Sequence, residues 1–291
     1  MNPALKSMLD RYSCNTANDY KNALKEIIQE MALLGLWRSK FFEHAAFYGD
    51  TSLRILYGLD RFSEDLDFSL LKSNPNLDLK KYYAAVQTEL QSFGLKVTVE
   101  EKEKSESRET AIKSAFIKAG TRKNIIQIEA PDTIRNHIQH NEKLKVKIEV
   151  DINPPGGFST EVKILLQPIP FSVNTFTLPN LFAGKLHSVL CRRWKNRIKG
   201  RDWYDFVWYV ARKTPLNLYH LEQRMTQTGN WEPSRQMMAD DLQLLLKKRI
   251  EEVNFDHAGN EVLPFIRDPE GVALWSKDFF YEIATKIKLD H

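Results

Sequence analysis

The sequence predicts an α+β fold followed by an all-helical half, with the cut near residue 175. Three observations carry that reading. Short alternating or β-branched runs recur between residues 65 and 152, amphipathic helical patterns stand among them, and beyond residue 175 only long helical patterns remain. The expected domains are an α+β part over 1–175 and a helical part over 176–291, and 291 residues suffice for two modest cores.

From Asn18 to Leu36, apolar residues recur at Ala23, Leu24, Ile27, Ile28, Met31 and Leu34, the rhythm of an amphipathic helix. The aromatic-rich run 40–48 reads as a strand or short helix that delivers the chain to Gly49, with His44 as a core or interface residue. A small-residue turn, Gly49-Asp50-Thr51-Ser52, leads into the amphipathic run Leu53 to Tyr57, and Leu66 to Leu70 reads as a strand. Residues 78–93 are helical and stop at Gly94. Strand-like runs follow at 96–100, 114–119, 125–130 and 143–152, with a hairpin around 120–124; the charged run 100–110 reads as a solvated loop. Pro154-Pro155-Gly156-Gly157 ends the last strand, and 153–180 reads as turn-rich. Helices are expected at 178–193, 202–213, 218–227, 240–253 and 274–287.

A net charge of +4 does not by itself demand a nucleic-acid partner. Cys14 and Cys191 lack metal-ligand spacing, which argues against a disulfide framework and a zinc ribbon. The N-terminus has no signal-peptide apolar core and no stretch of eighteen apolar residues occurs, so a soluble, cytoplasmic protein without a membrane partner is expected.

The chemistry concentrates in acidic pairs. On a strand, Asp65 and Asp67 point to one face, about 6.6 Å apart along the backbone. Two anions held that close repel unless a cation lies between them. In KVKIEVDINPP, Val146, Ile148 and Val150 share one face while Lys147, Glu149 and Asp151 share the other, which places Asp151 at a strand end. Asp65, Asp67 and Asp151 together would form an all-oxygen cage suited to Mg²⁺ (or Mn²⁺), an ion usually completed by substrate phosphates. The implied substrate is a nucleoside triphosphate (NTP), displaced in line at phosphorus. The Gly49 turn at a helix start offers an anion site, to which Thr51 and Ser52 can add hydroxyl donors.

A second constellation runs from Phe182 to Val210. Lys185, Arg192, Arg193, Lys195, Arg197, Lys199 and Arg201 follow one another without an acidic residue, with Trp194 and Trp203 interleaved. Basic residues with exposed aromatics make a phosphate-backbone track with stacking platforms, while a solvated helix face and basic loop would read the same way. Lys185 lies on an apolar helix, where a point charge against a triphosphate would explain it. Asp202 reads either as a simple N-cap or as a site residue.

The order GDTSLRILYGLDRFSEDLDFSL, KIEVDINPP, LFAGKLHSVLCRRWKNRIKGRDWYDFVWYV resembles the nucleotidyltransferase toxins of the AbiEii/AbiGii abortive-infection group, to which the mycobacterial MenT toxins are similar. The resemblance implies a polymerase-β-like nucleotidyltransferase fold, a mixed sheet with helices followed by a helical C-terminal half. It also implies a toxin neutralised by a separately encoded antitoxin, often with a winged-helix part. In that group the first motif is a Gly-Gly or Gly-Ser pair followed by Thr or Ser, which Gly49, Asp50 and Thr51 occupy here. The metal pair falls on Asp65 and Asp67, preceded by Arg61, Phe62 and Ser63, with Arg61 and Ser63 on the nucleotide side. The third carboxylate falls on Asp151, and the late Lys and Asp fall on Lys185 and on Asp202 or Asp205, with Asp202 preferred because it directly follows the basic loop. Asp50 departs from the group: turned inward, it would repel phosphate by about 4 kcal/mol at ~4 Å and an effective dielectric of ~20, and turned outward it would cap the helix.

The leading expectation is a metal-dependent nucleotidyltransferase toxin that joins a nucleotide to an acceptor, the 3′ end of tRNA, and releases pyrophosphate. Lys185 would neutralise developing charge and the basic loop would guide RNA. A small-molecule or protein acceptor, and a fold that has lost catalysis through Asp50, are the alternatives.

Overall fold

A computed structural model describes residues 2–101, 112–120, 143–192, 199–266 and 268–290. The strand expected at 125–130, the hairpin around 120–124 and nearly all of the charged run 100–110 lie outside these residues. The chain divides into two compact units: Met1–Tyr57, Phe62–Pro154 and Val162–Thr175 form the first, and Gly58–Arg61, Pro155–Glu161 and Phe176–His291 form the second.

In the first unit, α1 (Pro3–Leu9) precedes α2 (Ala17–Arg38), which starts at a capping box between Thr16 and Asp19. Next come β1 (Ala45–Tyr48), α3 (Gly49–Tyr57), β2 (Asp65–Leu70) and α4 (Lys80–Ser92). β3 (Val97–Glu101), β4 (Ile112–Gly120), β5 (Lys143–Asp151), β6 (Thr160–Leu165) and β7 (Phe171–Phe176) complete the sheet. Its order is β3-β4-β5-β2-β1-β7-β6, seven strands among the described residues. β2 runs parallel to β5 and β1 parallel to β7, while β1–β2, β3–β4 and β4–β5 are antiparallel. The α+β class with a mixed sheet is as the sequence predicts.

α2 and α4 cover the apolar face of the sheet, formed by Phe47, Leu66, Phe68, Ile148 and Val150. Burying each of these large side chains contributes about 2 kcal/mol. Gly35 lets the helices meet, since a Cβ there would lie 2.9 Å from the Val86 Cα. Buried polar groups on α2 tie down the other elements. Glu26 accepts from Arg54 of α3 at 2.8 Å, and Gln29 Nε2 donates to the Ser63 carbonyl at 3.1 Å.

The second unit contains α5 (Leu178–Cys191), α6 (Gly200–Ala211), β8 (Pro215–Leu216), α7 (Leu218–Gln227), α8 (Ala239–Glu252), α9 (Phe255–Val262), α10 (Glu270–Ala273), α11 (Lys277–Thr285) and β9 (Lys288–Leu289). Its aromatic core groups Trp203, Phe206, Phe255 and Phe280.

Three expectations change. The stretch 153–180 contains β6 and β7, because FSVNTF alternates and gains a parallel partner in β1 despite the prolines around it. The second unit is not purely helical: β8 and β9 pair in parallel over two residues. His44 is exposed rather than in the core. No helix among the described residues is long and apolar enough to cross a membrane.

His220 on α7 adds a pH dependence. It is fully buried, its Nδ1 lies 2.8 Å from the Gly156 carbonyl, and burial, helped by the Arg224 charge, pulls its pKa from 6.5 down to about 4 against that bond. Partly buried His187 is also lowered to about 4, mainly by burial and then by Arg224 and Arg192. The native state therefore binds these protons less readily than the unfolded chain. Stability is complete above pH 6.5 and declines as pH falls towards 4, by up to about 1.4 kcal/mol per unit for each histidine. Urea midpoints measured across this range should fall on acidification, and His220→Gln should flatten the slope.

Candidate active site

In the first unit, strand alternation puts Asp65 and Asp67 on the face opposite buried Leu66 and Phe68. Asp67 lies across from Tyr48, the last residue of β1, so the turn that follows abuts its carboxylate. A Cβ on Gly49 would lie 2.5 Å from Asp67 Oδ2, and the Gly49 φ is +78°. Glycine meets both demands, and α3 begins at this residue. Gly49→Ala should fold with a melting point a few degrees lower, from about 1–2 kcal/mol of strain, and lose at least about tenfold in transfer rate through displacement of Asp67. Rate and melting measurements on the same preparation check both.

Thr51 and Ser52 are buried, and their hydroxyls are engaged locally. Thr51 Oγ1 lies 2.8 Å from Ser63 Oγ and bonds the Asp65 carbonyl, and Ser52 Oγ donates to the Gly49 carbonyl at 2.8 Å. Of the two hydroxyls expected as phosphate donors, that of Thr51 locks the turn onto the start of β2 and that of Ser52 closes the turn on itself, because buried polar groups must find partners. Ser63 is part of that lock. Asp50 is half-buried in the first turn of α3, where a carboxylate is favoured by the helix dipole.

The parallel register sets Asp65 opposite Lys147, Asp67 opposite Glu149 and Ser69 opposite Asp151. Asp151 therefore shares the face of the acidic pair but stands one step along it. The carboxylate directly across from Asp67 is Glu149, which accepts from Lys147 at 2.7 Å and from Ser114 at 3.3 Å. The face parity of Glu149 is legible in KVKIEVD; its register is not. Among the described residues, no group of three or more His, Cys, Asp or Glu is arranged to hold a metal ion. Asp65, Asp67 and Asp151 are thus not a closed cage. The donor set, two strand-borne carboxylates beside a helix start, fits a hard cation whose remaining ligands come from substrate phosphates.

The second unit holds a buried charge network. Lys185, 6% exposed, lies 2.9 Å from Asp202 Oδ1 and 2.7 Å from Asp205 Oδ2. Arg192 Nη1 reaches Asp202 Oδ2 at 2.8 Å. Arg61 is fully buried and grips Asp205 with two parallel bonds, the Nε one at 2.6 Å. Asp202 and Asp205 both meet Lys185, and neither is the N-cap of α6, a position that Lys199 occupies. Arg61, expected beside nucleotide, is Asp205's partner; the two stand 144 positions apart in sequence, so no local signal could have revealed the pair.

Of the expected RNA-binding residues, Arg193, Lys195 and Arg197 lie outside the described residues, as does Trp194. Arg192 and Lys199 are partly exposed, and Arg201 stacks on the Phe265 ring at 4.0 Å. Trp203 is not a stacking platform: it is 2% exposed and packs edge-on against Phe255 and Phe280.

No curated protein matches the chain. Among solved structures it is similar to JHP933 from Helicobacter pylori, at 16% identity over 91% of this chain and 90% of that one, with a TM-score of 0.48. It is also similar to a nucleotidyltransferase toxin from Mycobacterium tuberculosis, MenT4, at 15% identity over 97% and 88%, with a TM-score of 0.48. Likenesses this distant transfer no residue roles. The family model described as nucleotidyl transferase AbiEii toxin, type IV toxin–antitoxin system, matches residues 32–282. The chain belongs to this AbiEii family and is a nucleotidyltransferase toxin.

Proposed function

We propose that the protein transfers a nucleotide from an NTP to the 3′ hydroxyl of an RNA, with tRNA as the acceptor, in a divalent-metal-dependent reaction. The observation that carries this reading is the approach of Gly49 to Asp67, which puts a helix start beside an acidic pair. The acceptor oxygen bonds the α-phosphorus as the bond to the pyrophosphate oxygen breaks, and pyrophosphate leaves with the electron pair. The hydroxyl proton passes to a carboxylate on the β2–β5 face, for which Asp151 is the candidate. Asp65 and Asp67 would hold Mg²⁺ or Mn²⁺, which when bound neutralises phosphate charge and activates the attacking oxygen. The backbone N–H groups at the start of α3 receive phosphate oxygens, a role the engaged Thr51 and Ser52 hydroxyls leave to the main chain. Lys185, oriented by Asp202 and Asp205, is the second constellation assigned to nucleotide handling. Arg192, Lys199 and Arg201, with the residues between them, supply positive charge for the RNA backbone. The proposed setting is the cytoplasm, with a separately encoded antitoxin protein as partner.

Incubation with α-labelled NTPs, Mg²⁺ and total RNA, followed by fractionation, tests this reading. Label in the tRNA band is expected. Label confined to protein or to small molecules would overturn the assigned acceptor.

A further inference from the structure

Among the described residues β6 is the terminal strand of the sheet, and it carries the edge charges Glu161 and Lys163. Val162, Ile164 and Leu166 are 65%, 68% and 72% exposed. Val162 also lines an open pocket of about 650 Å³ together with Trp37 and Phe42 and the charged Arg38, Lys40 and Glu43. An open sheet edge with a row of exposed apolar side chains is a template for a further strand.

The sequence of β6, TEVKIL, indicates which strand fits. Lay a second copy antiparallel to the first with Val162 opposite Val162 of the second copy. Glu161 then falls opposite Lys163 of the second copy, and Lys163 opposite its Glu161. Opposite charges directly across an antiparallel pair favour that register, whereas centring on Lys163 would oppose like charges. On the other face, Val162 meets its own equivalent and Thr160 meets Ile164, beside the pocket. We propose that β6 mediates a two-fold homodimer in this register, joining two seven-stranded sheets into one continuous sheet. The arrangement is self-complementary, as closed two-fold symmetry requires. A lysine on an edge strand guards against pairing where it would face a like charge. Here Glu161 supplies its counter-charge from the second copy, and the apolar row gains cover at the same time. This inference does not depend on the nucleotide chemistry.

Charge exchange tests both the dimer and the register. Sedimentation equilibrium of the wild type should approach twice 33.9 kDa as concentration rises. E161K and K163E, each with an unchanged circular dichroism spectrum, should lose the dimer, because each alone opposes like charges. K163E also gives up the contact of Lys163 with the Tyr57 ring, a single cation–π contact whose loss leaves the fold intact. An equimolar mixture of the two variants should regain the dimer, since each then faces its opposite charge. A wild type that stays monomeric at every concentration would overturn the proposal. Single variants that remain dimeric, or a mixture that stays monomeric, would overturn the register and the proposal with it.

Discussion

Asp67→Asn is expected to lower the rate of nucleotidyl transfer by about a thousandfold or more without lowering the melting temperature. The rate loss follows from removing a metal-holding charge, which contributes several kcal/mol to the transition state, each 1.36 kcal/mol being tenfold. The unchanged stability follows from the register. Asp67 stands across from Glu149 in the parallel β2–β5 pair, and two carboxylates held close repel each other, so a neutral amide of the same shape removes that repulsion. The Gly49 turn fits against an Asn of the same shape. Transfer rate and thermal midpoint measured together separate a site residue from a structural one: a structural role would move the midpoint as well.

Arg61→Leu is expected to do the reverse, costing about 3 kcal/mol of stability. Its guanidinium is fully buried against Asp205, and removing one partner of a buried pair typically costs 3–5 kcal/mol by leaving the other charge uncompensated. Lys185 remains beside Asp205 at 2.7 Å, which holds the loss near the lower end. The thermal midpoint should fall by roughly 6–12 °C. Replacing Arg61 and Asp205 together by apolar residues should recover part of that loss, because the uncompensated charge disappears with its partner. A midpoint within a degree or two of wild type for Arg61→Leu would show that the pair contributes little.

The outline of the fold and the shared face of the acidic residues were legible because both depend on local pattern. α2, α4 and α7 follow from apolar spacing, and the shared face of Asp65 and Asp67 follows from strand alternation alone. What escaped depends on distant partners. β7 is a strand because β1 accepts it in parallel, while the prolines around it signal turns. Whether Asp151 or Glu149 stands across from Asp67 is decided by a parallel register set through a crossover connection. The Arg61–Asp205 pair and the double engagement of Lys185 arise only after α5 and α6 pack. Trp203 carried a signal that the basic run around it obscured: Trp203, Phe206 and Val210 recur at helical spacing, the mark of a buried face.

Transfer is expected to end on a 3′ hydroxyl of RNA and to require a divalent metal. The most direct measurement is labelling of purified tRNA from an α-labelled NTP with Mg²⁺, before and after periodate oxidation of the terminal ribose. Label should enter intact tRNA and be lost on oxidation or on chelation of the metal. Equal labelling of oxidised tRNA, or labelling that survives chelation, would contradict the account.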